Sequence, residues 1–226
     1  MYKRFLQQIR YFNFLDHYPR MNLGTFLIVL LCSFLIVIAT FTTLPLFLLT
    51  FPQEAFINPS SFFSNTKSMS EFIIGFPYIP QIPAVLFTGA LLGPRAGFLS
   101  IVIYVIIGLL GIPVFASGGG INYFLQLGFG YILGYFVGIF IVGNMLSKNI
   151  TSYSIFRASV IGVLVIHLFG IIYLTCLLLL QHNNLFAVFG WIWALSGKQI
   201  FYDLIASFVA ICLARPIRSI FWLTMD

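Results

Sequence analysis

From Leu23 to Leu49 no side chain carries a charge, and apolar runs of the same kind recur through most of the 226-residue chain. A stretch of that length crosses a hydrocarbon core about 30 Å thick as a helix. Lipid offers no water to satisfy backbone N–H and C=O groups, so a spanning segment must bond to itself or close into a barrel. Composition removes the soluble alternative: 61% of residues are hydrophobic and 7% are charged, where a soluble domain carries about 25% charge. The expected fold class is an all-α integral membrane protein, a single transmembrane domain over residues 1–226.

Six spans are the simplest count, at 23–49, 82–92, 97–112, 128–146, 157–180 and 199–214. The second and third are short for a bilayer, so their flanks must be folded into the protein. The basic segment 1–22 precedes a run too long for a signal peptide, and no A-x-A site follows, which indicates an uncleaved first span. With six spans, Lys3, Arg4, Arg10, Arg20, Arg95, Lys148, Arg157, Arg215 and Arg218 fall on one side, and only Lys67 and Lys198 on the other. The positive-inside rule makes the first side cytoplasmic and places both termini there. That skew also accounts for the formal charge of +6 without a nucleic-acid partner. The outer side receives loops 50–81, 112–127 and 181–198.

Gly130, Gly134 and Gly138 recur every four residues, as do Gly89, Gly93 and Gly97. Residues four apart share a helix face, so each set forms a smooth strip where backbones approach closely. The strips suit packing within the bundle; self-association is the alternative. Cys32, Cys176 and Cys212 are widely spaced within apolar segments and read as buried small hydrophobes, with no disulfide or metal site.

No phosphate-cradling GxxxxGK[ST], HExxH or GxSxG occurs, and five acidic residues leave little for acid–base chemistry, so an enzyme is not expected. His167 lies mid-span with no partner at ligand spacing and reads as a packed or hydrogen-bonded structural residue. His17 and His182 read as loop or interface residues. The notable ionisable group is Asp203, four positions after Gln199 and on the same face as Ala206, Ser207 and Ala210. A carboxylate in a span faces a cavity or a partner. Its partner is either Lys198 or a loop donor, or else it accepts from the N–H groups of a ligand. Lys198 is either an interface anchor or a cation for a ligand carboxylate. Asn122, Tyr123 and Gln126 add polar groups from the glycine-rich loop. With Trp191 and Trp193 these residues would make an apolar cup with a few polar points, the usual make-up of a small-molecule site. Gly118 to Gly120 would let the loop turn back over it, or form an ordinary flexible turn.

The block "FPYIPQIPAVLFTGALLGPRAGFLSIVIYVIIGLLGIPVFASGGGINYFLQLGFGYILGY", residues 76–135, resembles the BioY family, the biotin-binding S components of energy-coupling-factor (ECF) transporters. The C-terminal "SGKQIFYDLIASFVAICLARPIR" is similar more loosely. The resemblance implies a six-transmembrane-helix S-component bundle that binds biotin near its outer side, beneath the loop between spans 3 and 4. It places Gly119, Gly120 and Asn122 in that lid, with Gln126 and Tyr131 close by. Many members carry a Gly-Asp…Lys pattern at the start of the last helix. Here the string is Gly197-Lys198-Gln199 with Asp203 after it, and Ala206 stands where a lysine would. The acceptor is then Gln199 or Asp203, and the cation Lys198.

The resemblance further implies residence in the cell membrane of a prokaryote. It also implies partners: ECF ATPase subunits, which use ATP, and a transmembrane coupling (T) subunit. No cofactor is expected on this chain. Small residues on span 1 meet the coupling subunit in such proteins; Ala39 and Thr43 have the spacing here but lie near the outer end. Arg95 reads as a topological anchor or partner contact. The alternatives are an S component for another vitamin and a non-transport membrane protein.

Overall fold

The computed structural model describes residues 22–49, 60, 73–148, 150–181 and 185–225. Lys3, Arg4, Arg10, Arg20, Lys67, His17 and His182 lie outside the described residues, as does most of loop 50–81.

Helix α1, Leu23–Phe41, begins at Asn22, whose side-chain oxygen accepts the Thr25 N–H at 2.7 Å. Such a cap satisfies one of the orphan donors of the first turn. Ile28, Val29, Cys32 and Ile36 are buried, while Leu27, Leu31, Phe34 and Ile38 are exposed. Both faces are apolar, as suits a helix with protein on one side and lipid on the other. The helix stops earlier than the 23–49 span expected from hydropathy. Pro45 disfavours helical geometry at the residue before it, and Thr42 already has an extended backbone with ψ 119°.

The chain then forms a two-stranded antiparallel ribbon, which corrects the all-α expectation. Strand β1, Leu44–Leu49, pairs with β2, Ile73–Tyr78, in a register that sets Leu44 opposite Tyr78 and Pro45 opposite Pro77. Each strand has an open edge, so the missing proline N–H groups are tolerated. Alternation along β2 buries Phe76 and Tyr78 and leaves Ile73, Gly75 and Pro77 exposed, and this turns the Tyr78 side chain inward.

Helix α2, Gln81–Leu109, is broken at Gly93, where φ is 77° and ψ is −178°, with Pro94 following. A side chain essentially cannot occupy that conformation. The two halves fold back on each other. A Cβ on Gly97 would lie 3.4 Å from the Gly89 Cα, and the Gln81 Nε2 donates to the Tyr104 hydroxyl at 2.9 Å. The expected spans 82–92 and 97–112 are therefore two halves of one helix element with a turn tighter than anticipated.

A short 3₁₀ segment, Ile121–Leu125, leads into α3, Phe129–Lys148. Helix α4, Ser152–Leu180, starts before the expected residue 157 because Thr151 and Ser154 form a reciprocal cap. Helix α5, Leu185–Ile192, and a π-helical turn, Trp193–Gly197, lie in the expected outer loop 181–198. They lead into α6, Ile200–Met225, which runs through Pro216. By length and composition, five helical segments among the described residues can cross a membrane.

Helix α2 packs on α1, α3 and α6, and α4 packs on α3 and α6. The Gly130–Gly134–Gly138 strip lies inside these contacts, whereas the expected Gly89–Gly93–Gly97 strip is broken at the non-helical Gly93, which brings Gly89 and Gly97 together from the two halves of α2. A Cβ on Gly134 would come within 2.9 Å of the Ile166 Cα, and one on Gly89 within 3.0 Å of the Ile139 carbonyl oxygen. Close backbone approach is what holds helices together where lipid supplies no hydrophobic drive. Of the cysteines, Cys32 is buried as expected, whereas Cys176 and Cys212 are exposed on the outward faces of α4 and α6. The surface they share is apolar, so hydropathy alone could not separate outward from inward.

Candidate functional site

A cavity of about 110 Å³ lies between α2, the loop after it, α3, α4 and the start of α6. Its wall on α3 comes from Tyr131, Ile132 and Tyr135, which share one helix face. The two halves of α2 contribute Gln81, Ile82 and Tyr104, and the C-terminal side contributes His167, Leu195 and Gln199. Ala116, Tyr123 and Gly128 of the loop complete it.

The glycine loop is a built structure. Phe115 and Gly118 exchange backbone hydrogen bonds at 3.0 Å, and the Gly120 N–H donates to the Gly108 carbonyl at 2.7 Å. Gly118 and Gly120 have φ of 114° and 96°, values that favour glycine. Gly119 has no room for a side chain: a Cβ would lie 2.4 Å from the Ile112 carbonyl oxygen. Phe115 is fully buried, edge-on to Tyr104 and 4.4 Å from Tyr123 between ring centroids. Burial raises the Tyr123 phenol above its ordinary range, partly offset by hydrogen bonds with Ser117. The loop thereby holds Ala116 and Tyr123 against the cavity.

Two polar clusters interrupt the apolar lining. The first is Gln81 with Tyr104, whose hydroxyl also donates to the Val114 carbonyl at 3.4 Å. The second is a buried file of side chains. Tyr131 Oη lies 2.6 Å from Ser196 Oγ, and Ser196 Oγ lies 2.9 Å from His167 Nδ1. His167 Nε2 is 3.1 Å from one oxygen of Asp203, and the Tyr78 hydroxyl donates to the other at 2.9 Å. Burial and the Asp203 carboxylate push the Tyr78 phenol well above its ordinary range, so it keeps its proton and donates. The π-helical turn inserts a residue and rotates Ser196 inward, where it is 3% exposed. Tyr135, also 3% exposed, lines the cavity and its hydroxyl has no protein partner among the described residues.

Of the residues singled out from the sequence, Tyr123, Tyr131 and Gln199 line the cavity together. Asp203 stands behind it, with both oxygens engaged by Tyr78 and His167 rather than by Lys198. Gly119 and Gly120 shape the loop without lining the cavity. Asn122 and Gln126 are exposed, and Lys198 is half-buried outside the lining. Trp191 and Trp193 are 46% and 59% exposed, so they do not form the expected aromatic cup; four tyrosines do.

Sequence reasoning missed Gln81, Tyr104, Tyr135 and Ser196 as lining or supporting groups, and placed His167 only in the core. The Tyr131–Tyr135 spacing was a usable signal. The pairing of His167 with Asp203 carried none, because the two lie on different helices.

A family model described as BioY family matches residues 61–222. A protein named probable biotin transporter BioY from Lysinibacillus sphaericus is 40% identical over 100 residues, which is 43% of this chain and 51% of the relative. One of the same name from Pyrococcus horikoshii is 44% identical over 95 residues, 42% of this chain and 56% of the relative. The match thus spans about half the length of these relatives. Biotin transporter BioY from Rhizobium etli is 29% identical over 153 residues, covering 62% and 77%. A solved structure, the S-component for biotin from an ECF-type ABC transporter, superposes with a TM-score of 0.59 over 86% of this chain and 90% of that one, at 21% identity. At that identity the likeness is one of fold. With most of its length inside the matched region, the chain belongs to the BioY family.

Proposed function

We propose that this chain is the biotin-binding membrane subunit of an ECF-type transporter. The observation that carries this reading is the cavity itself, a mostly apolar hollow with two separate polar clusters. Biotin has a ureido ring with two N–H donors and one carbonyl, an apolar bicyclic body and tail, and a carboxylate. Its two polar ends match two polar clusters, and its body suits the tyrosine and isoleucine wall. The ligand contacts are Tyr123, Tyr131 and Gln199, joined by Gln81 and Tyr135, while His167 keeps both ring nitrogens on Ser196 and Asp203. Gly119, Gly120 and Asn122 act through the loop, with Gln126 at its end. Asp203 acts through His167, and Lys198 is the cation adjoining Gln199.

The fold-back at Gly93 supports reading α2 as two spans, six in all, with both termini on the cytoplasmic side of a prokaryotic cell membrane. The loop and cavity then lie on the outer side, where biotin would enter. Release inward requires ECF ATPase subunits and a coupling subunit as partners. Membranes holding this chain alone should bind labelled biotin, and uptake should depend on the partners. Competition by another vitamin in place of biotin would redirect the assignment, and binding of neither would end it.

A further inference from the structure

The file Tyr131–Ser196–His167–Asp203–Tyr78 ends at the cavity, and the direction in which its protons point decides what Tyr131 offers there. Asp203, His167 and Ser196 are 0%, 2% and 3% exposed. A net charge sealed among them is costly. A carboxylate beside a neutral imidazole would leave one. Two arrangements avoid it: a carboxylic acid donating to a neutral imidazole, or a carboxylate facing an imidazolium. Both leave a proton on His167 Nδ1.

From that proton one donor order runs through the file to the cavity. With Nδ1–H donating to Ser196 Oγ across 2.9 Å, the Ser196 hydroxyl has its own proton to give to Tyr131 Oη across 2.6 Å. In that order the proton of Tyr131 turns to the cavity. We propose that Asp203, His167 and Ser196 are positioning residues that make Tyr131 a hydrogen-bond donor, so that this wall selects an oxygen acceptor on the ligand. Resting on the biotin reading, that acceptor is the ureido oxygen.

The chain has three histidines, so His17→Gln with His182→Gln leaves one imidazole to observe. In ligand-free, ¹⁵N-histidine-labelled protein in nanodiscs, Nδ1 of His167 should carry a directly bonded proton. A bare Nδ1 overturns the proposal. The second arm compares biotin with its analogue bearing a protonated imine in place of the ureido oxygen. The charge of the analogue weakens it in any apolar cavity, so the informative quantity is the change in the affinity ratio caused by Tyr131→Phe. That ratio should narrow about tenfold, and an unchanged ratio overturns the proposal. If biotin does not bind but Nδ1 is protonated, the ligand assignment falls while the polarity of the file is supported.

Discussion

Tyr135 places a hydroxyl against the cavity with no protein partner among the described residues, so its hydrogen-bonding capacity is left for a ligand. Tyr135→Phe keeps the ring and its packing. The expected result is a loss of biotin affinity of about 2- to 10-fold, with the ligand-free melting temperature little changed; calorimetric titration and a thermal melt read the two. Gly119→Ala should act differently. Its Cβ would meet the Ile112 backbone, so the loop must shift, and both affinity and melting temperature should fall. Individual residue types told much of this in advance. Tyr123 and Gln199 were recognisable as polar points in apolar surroundings, and Tyr131 through the resemblance to the BioY family. His167 was placed correctly in the core, but its bond partner Asp203 is 36 positions away, and Tyr78 is 125 positions from Asp203. No local pattern encodes contacts at such separations.

At the scale of elements, hydropathy found the spans and misjudged their ends, because local backbone chemistry sets the ends. The run 23–49 is uniformly apolar, yet Pro45 ends the helix and a strand follows. The start of α4 is likewise fixed by Thr151, whose N–H donates to Ser154 Oγ at 2.8 Å while its own Oγ1 accepts from the Ser154 N–H at 3.1 Å. Thr151→Ala should destabilise the protein by about 1 kcal/mol, measured as a lower midpoint in a denaturation series, with biotin affinity retained because the cap is remote from the cavity. The Gly93 turn is more demanding. With φ at 77°, Gly93→Ala is expected to cost about 1–3 kcal/mol and to weaken biotin binding as well, since Gln81 and Tyr104 meet only when the two halves of α2 are folded together. A variant with wild-type stability and affinity would show that the turn does not set that geometry.

For the whole molecule, the organising fact is that apolar side chains face both inward and outward. Leu27, Leu31 and Phe34 on α1, Leu164 and Leu168 on α4, and Leu213 on α6 are all exposed, as lipid-facing residues should be. Hydrophobicity therefore does not distinguish core from surface here, and glycine contacts and buried hydrogen bonds do. The buried file from Tyr78 to Tyr131 joins the ribbon to α6, α4, the π-helical turn and α3, so the groups that specify the packing are also those that border the cavity. A bound ligand should report on both: biotin at 100 times its dissociation constant is expected to stabilise the protein by about 2.7 kcal/mol. The most direct test is a structure of the purified chain determined with saturating biotin. We expect the ligand in the cavity, its ureido oxygen within hydrogen-bond distance of Tyr131 and its body against Tyr123 and Tyr135. Biotin bound elsewhere, for instance on the exposed Trp191–Trp193 surface with the cavity vacant, would contradict the account.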